Sequence, residues 1–194
     1  MLADNVSIQT MRWHNECLEM IDQRVLPERF EYVAYSSAEE VAKGIKEMVV
    51  RGAPAIGVAA AYGIALEALR LKNMSSESFH ASMNKAFEEL AASRPTAVNL
   101  FWALEKMQAE LDALMDETPE AIANILIKKA HDLYLDDIRI NRAMGENGAK
   151  LLQDGARVLT HCNAGALATA GHGTALGILR LSLIHISEPT RPER

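Results

Sequence analysis

Two short segments of the chain combine residue types that could bind an anion. Arg51-Gly52-Ala53-Pro54 and Ser93-Arg94-Pro95-Thr96 each place an arginine at the junction between two predicted helices. A guanidinium offers a rigid fork for an oxyanion, and the free N–H groups at the start of the next helix add to it. Each junction alone is better explained as an ordinary turn with a solvated arginine. Two such junctions in one small domain favour a shared phosphate site.

A third segment, His161-Cys162-Asn163-Ala164-Gly165, follows a short β-prone run at 157–160. Open α/β sheets bind ligands at the carboxyl ends of their strands. A cysteine beside a histidine and a helix start can act as a thiolate acid, base or nucleophile. Free cysteines are also among the most buried residues, so packing is an equal alternative for Cys162. The later glycines, at 171, 173 and 177, depart from the G-x-G-x-x-G pattern of a dinucleotide site.

Other polar and aromatic residues favour structural explanations. One predicted helix carries four ionisable residues, His131, Asp132, Asp136 and Asp137. They lack the pairing of ligands that a metal site on a helix would use, so a solvated acidic face is favoured. Cys17 lies in an apolar β-prone stretch and is predicted to pack. Trp13 and Trp102 are predicted to be core residues. No metal site is therefore expected.

Composition excludes several classes of protein. The chain has 194 residues, 49% of them hydrophobic, and a net charge of −6. No long basic run exists, so neither nucleic acid nor a membrane surface is an expected partner. The strongly apolar uncharged run at 53–66 is shorter than the ~20 residues that a bilayer span requires. With two cysteines and no secretory signal at its start, the protein is expected to be cytoplasmic.

The predicted elements divide the chain near Gly148. Short antiparallel strands are expected before residue 36, and Ser37-Ala38-Glu39-Glu40 has the pattern of a capping box. Further helices are predicted at 54–71, 75–92, 96–115 and 119–145, of which the first is apolar on every face and belongs inside a bundle. A strand at 157–160, a glycine-rich loop and a helix at 175–180 then follow, as at the start of a parallel α/β domain.

Three long stretches carry a family resemblance. Residues 48–63, 94–104 and 159–171, in this order, resemble the methylthioribose-1-phosphate isomerase family of methionine salvage. That family is shared with the alpha, beta and delta subunits of translation initiation factor 2B. The resemblance covers essentially residues 6–180.

The resemblance implies an α/β architecture. Residues 1–147 would form a mainly helical domain with a small antiparallel β element, and 148–180 the first strand, loop and helix of a truncated Rossmann-like domain. It also implies a homodimer that converts 5-methylthioribose 1-phosphate to 5-methylthioribulose 1-phosphate without a cofactor. By motif position, Arg51, Gly52, Ala53 and Arg94 would bind the sugar phosphate, and Cys162 would be catalytic.

Two departures from the family pattern lead to further expectations. The family's second catalytic residue, an Asp, would lie well beyond Arg180, so we expect the 194-residue chain to be an inactive fragment. Residues 181–191 match the translation of a transposase-end adapter used in sequencing libraries. We therefore expect residues 181–194 to derive from the adapter.

Two alternative functions are kept open. The first is a non-catalytic regulatory subunit of the initiation factor 2B type, for which Cys162 and the two arginines would have no purpose. The second is an isomerase of ribose 1,5-bisphosphate, which would need further basic residues for its second phosphate.

Overall fold

A three-stranded antiparallel sheet opens the fold, which is seen in a computed structural model that describes residues 8–186. The strands β1 (Met11–His14), β2 (Cys17–Ile21) and β3 (Tyr32–Tyr35) lie in the order β1-β2-β3. Asn15 and Glu16 both have positive φ, as a two-residue hairpin turn requires. The small antiparallel element predicted from the sequence is confirmed.

Five helices follow the sheet within residues 38–149, and local sequence signals explain where several of them begin. They are α1 (Ala38–Lys46), α2 (Ala53–Leu71), α3 (Ser76–Ser93), α4 (Val98–Asp112) and α5 (Pro119–Ala149). The hydroxyls of Ser37, Ser75 and Thr118 each accept a hydrogen bond from the first turn of the following helix. The helices predicted at 54–71 and 75–92 are confirmed to within one residue. The helix predicted at 96–115 is shorter, and the one predicted at 119–145 is longer.

Helix α2 lies at the centre of the bundle and packs against α1, α3, α4 and α5. A Cβ on Gly57 would lie 2.7 Å from the Asn99 carbonyl oxygen, so this glycine lets α4 approach closely. Among the described helices, only α2 is long and apolar enough to span a membrane, yet 83% of its most apolar window is buried inside the protein. This burial is typical of a core helix.

The segment after α5 differs from the prediction. No strand forms at 157–160, and Leu159 is 96% exposed. A strand needs a hydrogen-bonding neighbour, and the described part of the chain offers none beside this segment. A 3₁₀ turn (Ala166–Ala168) and helix α6 (Thr174–Ile186) follow. Helix α6 packs on α5, where a Cβ on Gly148 would lie 2.8 Å from Ile178 Cδ1.

The prediction that Trp102 is a core residue is wrong, because its side chain is 47% exposed on α4. Trp13 is partly buried against the core, where it stacks on Tyr62 with ring centroids 5.6 Å apart. The helical period places Leu100, Ala103 and Leu104 toward the core and leaves Trp102 on the outer face.

Candidate active site

The first arginine junction is built around a glycine that no other residue could replace without strain. Gly52 caps α2 with φ 100°, and a Cβ there would lie 2.5 Å from the Cα of Ala168. Both facts require glycine at this position. Pro54 follows within the first turn of the helix, where its missing N–H costs nothing. The start of α2 therefore packs closely against the turn that follows Cys162 in the chain.

The buried residue Gln23 links this junction to the same turn by hydrogen bonds. The Gln23 side-chain amide donates to the Leu167 carbonyl oxygen at 2.8 Å. The exposed Arg51 guanidinium donates to the backbone carbonyl oxygen of Gln23 at 3.2 Å. Thr10 adds a third link, since its hydroxyl donates to the Ala166 carbonyl oxygen at 2.8 Å.

The glycine-rich loop at 165–174 is closed by its own threonines. The Thr169 hydroxyl accepts from the Gly173 N–H at 2.9 Å and donates to the Ala166 carbonyl oxygen at 3.1 Å. The Thr174 hydroxyl accepts from the Gly165 N–H at 3.2 Å. These bonds hold the two ends of the loop together. A Cβ on Gly173, which has positive φ, would lie 2.1 Å from the Gly165 carbonyl carbon.

Cys162 lies three residues before this loop and is exposed. Its φ of 71° is in the left-handed region, which residues other than glycine rarely adopt. His161 and Asn163 are exposed as well. The thiol is thus accessible, and the packing alternative for Cys162 is wrong.

The second arginine junction lies beside the first helix start. Arg94 is half-buried at the C-terminal end of α3, and its carbonyl oxygen accepts from the Ala97 N–H just before α4 begins. Because Gly57 contacts Asn99, the first turns of α2 and α4 are neighbours. Their ends border a cleft of about 1120 Å³, whose lining includes Pro54, Gly57, Val98, Asn99, Trp102 and Thr174. This volume is slightly above the about 300–1,000 Å³ that is typical of small-molecule sites. Asp137 also lines the cleft, whereas Arg51, Arg94 and Cys162 are not among its lining residues.

The prediction of a purely solvated acidic face on α5 is wrong in two places. Asp137 Oδ2 accepts from the Ala170 N–H at 2.7 Å, and Oδ1 accepts from the Asn141 side-chain amide at 2.9 Å. Burial raises the pKa of Asp137, although these hydrogen bonds oppose the rise. His131 is half-buried, with its Nδ1 2.8 Å from the Tyr62 hydroxyl. Asp132 and Asp136 are exposed, as predicted.

The sequence contained one signal for the role of Asp137. Asp137 and Asn141 are four residues apart, so they share one face of a helix and can pair. That spacing is common on solvated faces, and only the packing of Ala170 against α5 distinguishes this pair.

Comparison with known proteins gives consistent similarities. Residues 49–185 match the family described as Initiation factor 2 subunit family. The chain is 58% identical over 192 residues to a protein of Albidiferax ferrireducens named methylthioribose-1-phosphate isomerase, an alignment that covers 96% of this chain and 54% of that protein.

Two solved structures have the same fold. The crystal structure of 5-methylthioribose 1-phosphate isomerase from Pyrococcus horikoshii superposes with a TM-score of 0.85 and 41% identity, over 92% of this chain and 50% of that one. The translation initiation factor eIF-2B subunit delta from A. fulgidus gives a TM-score of 0.80 and 42% identity, over 92% and 52%. The chain thus spans about half the length of the proteins that it resembles.

Proposed function

The chain belongs to the Initiation factor 2 subunit family, and from this premise we propose that it supplies the sugar-phosphate-binding junctions and the reactive thiol of an aldose–ketose isomerase. The substrate is 5-methylthioribose 1-phosphate and the product 5-methylthioribulose 1-phosphate, as the names of its relatives suggest. The observation that supports the proposal is the contact between Gly52 and Ala168. The helix start that would bind an anion lies, through this contact, against the loop that follows Cys162.

The phosphate would be bound at the start of α2. Free N–H groups of its first turn, including that of Ala53, carry the positive end of the helix dipole. The exposed guanidinium of Arg51 can add a charge-assisted hydrogen bond. Arg94, at the neighbouring junction, would bind the same substrate from the α4 side. No cofactor is needed for this role.

The proton balance of the reaction defines what Cys162 can contribute. The hydrogen on C2 moves to C1, the bond between C1 and the ring oxygen breaks, and the C2 hydroxyl becomes a carbonyl. The ring oxygen gains one proton and the C2 hydroxyl loses one, so one acid and one base are required. Cys162 would serve as one of these groups. This balance is the same whether the hydrogen moves as hydride or through an enediolate.

The proposal extends to the architecture of the protein. Residues 1–147 would form one domain, and residues 148–180 the beginning of a Rossmann-like domain in which the segment 157–160 pairs with further strands. We propose a cytoplasmic homodimer for the complete enzyme, and an adapter origin for residues 181–194.

A chimera tests the proposed function. Residues 1–180 of this chain would replace the corresponding residues of the Albidiferax isomerase, and turnover of 5-methylthioribose 1-phosphate would be followed by NMR. We expect the chimera to form the ketose phosphate and Cys162→Ala to lower kcat by about 100-fold or more. A folded chimera without turnover, beside an active parent enzyme, contradicts the proposal.

Substrate binding is tested in the same chimera. We expect Arg51→Ala and Arg94→Ala to raise KM by about tenfold each, because each removes a charge-assisted hydrogen bond. Ribose 1,5-bisphosphate serves as the competing substrate, and faster turnover of that sugar would favour the bisphosphate isomerase.

The second candidate function is that of a regulatory subunit. The similarity to the delta subunit from A. fulgidus favours it. A folded but inactive chimera that fails to bind 5-methylthioribose 1-phosphate in calorimetry would support this alternative.

A further inference from the structure

We propose that Asp137 and Asn141 of α5 form a clamp that positions the glycine-rich loop at 165–174, and through it the segment that carries Cys162. The role assigned to Cys162 rests on the proposed function, whereas the clamp itself is defined by contacts within this chain. Asp137 and Asn141 line the cleft beside the starts of α2 and α4. We assign them as positioning residues because the proposed role is exerted on the loop, through the bond to Ala170, and not on the reacting atoms.

The two side chains have complementary hydrogen-bonding groups. The carboxylate of Asp137 only accepts, and its two oxygens meet two donors, the Ala170 N–H at 2.7 Å and the Asn141 amide at 2.9 Å. The same Asn141 amide also donates to the Asp137 backbone carbonyl oxygen at 2.8 Å, which fixes its orientation. Asn141 is 4% exposed and Ala170 is fully buried, so water does not compete for these groups.

The carboxylate has no cation to compensate for its desolvation. Among residues 8–186, no lysine or arginine forms an ion pair with Asp137, and the nearby Arg139 pairs with Asp136 instead. Half-burying a carboxylate without a cation costs free energy, and the raised pKa of Asp137 reflects this cost. The gain is a charge-assisted hydrogen bond to one backbone N–H of the loop.

The clamp reaches Cys162 through the loop's internal bonds. Ala170 follows Thr169, whose hydroxyl bonds to both the Ala166 carbonyl and the Gly173 N–H. A bond that holds Ala170 in place therefore also helps to hold Ala166 and Gly173, on the two sides of the loop. Gly165, at the start of the loop, is three residues from Cys162 and bonds to the Thr174 hydroxyl.

The loop is held on two sides. The clamp contacts it at Ala170, and the Arg51-Gly52 junction contacts it at Ala168, two residues away. The distance between the thiol and the anion-binding junction therefore depends on the clamp. If the clamp is lost, the thiol segment should become mobile relative to the bound phosphate.

Hydrogen exchange of this chain, measured by NMR or mass spectrometry, tests the clamp without any enzymatic assay. Asp137→Asn places an amide donor against one of the two donors, so one hydrogen bond is lost. The remaining bond also weakens, because a neutral amide oxygen replaces the charged carboxylate. We expect about tenfold faster exchange of the Ala170 N–H and its loop neighbours. Asn141→Ala, which leaves the bond to Ala170 in place, should cause a smaller increase.

Swapping the two residues tests whether the protection of the loop against hydrogen exchange can be rescued. In the double variant D137N/N141D, the amide at 137 can accept from Ala170 through its oxygen and donate to the carboxylate at 141. Loop protection should recover to within about threefold of the parent, because both side-chain donor–acceptor pairs are restored. Recovery is incomplete because a carboxylate at 141 cannot donate to the backbone carbonyl oxygen of residue 137. Asp112→Asn is the matched control, because Asp112 accepts from the Gln108 amide in an exposed pair four residues apart. It should not change exchange in the loop.

Kinetics in the chimera test the positioning role. We expect Asp137→Asn to lower kcat by about tenfold with little change in KM. The double variant D137N/N141D should restore most of kcat. Unchanged loop exchange in Asp137→Asn overturns the clamp even if the chimera is an active isomerase. Faster exchange with unchanged kcat overturns the positioning role alone. An inactive chimera contradicts the proposed function, and loop exchange then still decides the clamp.

Discussion

The side chain of Gln23 and the backbone of Leu167 are joined by a 2.8 Å hydrogen bond between positions 144 residues apart. Gln23 follows β2 and is 2% exposed, and its backbone carbonyl oxygen also accepts from Arg51. One buried residue thus connects the sheet, the first arginine junction and the turn after Cys162. The position of Arg51 relative to the turn after Cys162 depends on this connection.

Gln23→Ala should destabilise the fold. The substitution leaves the partly buried Leu167 carbonyl without its donor, and the loss of such a hydrogen bond costs about 1–2 kcal/mol. Urea unfolding measures the loss in the free energy of unfolding. Gln108→Ala is the control, because the Gln108 pair with Asp112 is exposed and its loss should cost less than about 0.5 kcal/mol. Equal losses for both variants would contradict the role of Gln23.

Gly52→Ala should be more damaging than an alanine at another glycine with positive φ. At Gly52 a methyl group meets the backbone of Ala168, whereas at Gly155, with φ 73°, nothing lies within 4 Å. We expect a loss of about 3 kcal/mol or more for Gly52→Ala and about 1 kcal/mol for Gly155→Ala, measured by thermal and urea unfolding. Similar losses would mean that the contact with Ala168 is not formed.

Alkylation should distinguish the two cysteines. Cys162 is exposed and Cys17 is half-buried in β2, so iodoacetamide should modify Cys162 first, as peptide mass spectrometry would show. In the chimera, 5-methylthioribose 1-phosphate should slow the modification of Cys162 and leave that of Cys17 unchanged. Faster labelling of Cys17 would contradict the exposure of Cys162.

Acid should weaken the fold through two histidines. Burial lowers the pKa of His131 and of His172, so their neutral forms are favoured in the folded state. Their contribution is present above the unfolded pKa of about 6.5 and is lost as pH falls through the lower folded values. The free energy of unfolding should therefore fall from pH 7 to pH 5.

Substitution by glutamine identifies the groups responsible for this loss. His131→Gln keeps a polar group near the Tyr62 hydroxyl but does not titrate, and His172→Gln removes the other titrating ring. Each variant should have a smaller pH dependence of its free energy of unfolding than the parent. If both retain the full dependence, other groups cause it.

The sequence alone determined the elements whose hydrogen bonds are local. Ser37 and Thr118 cap helices where predicted, and Pro119 begins α5, because a helix is built from contacts between residues three or four positions apart. The apolar pattern on every face of α2 likewise predicted its central position. Residue type and spacing also single out the segments that contain Arg51, Arg94 and Cys162 as candidate site segments.

The tertiary structure decided the features that depend on distant partners. A run at 157–160 with β propensity stays exposed, because a strand needs a neighbour that the local sequence cannot supply. Asp137 belongs to a face that looked solvated, and only the packing of Ala170, 33 residues later, turns it into a buried acceptor. The contact of Gly52 with Ala168 spans more than a hundred residues. Such contacts depend on how the chain packs in three dimensions, which residue spacing along one element does not encode.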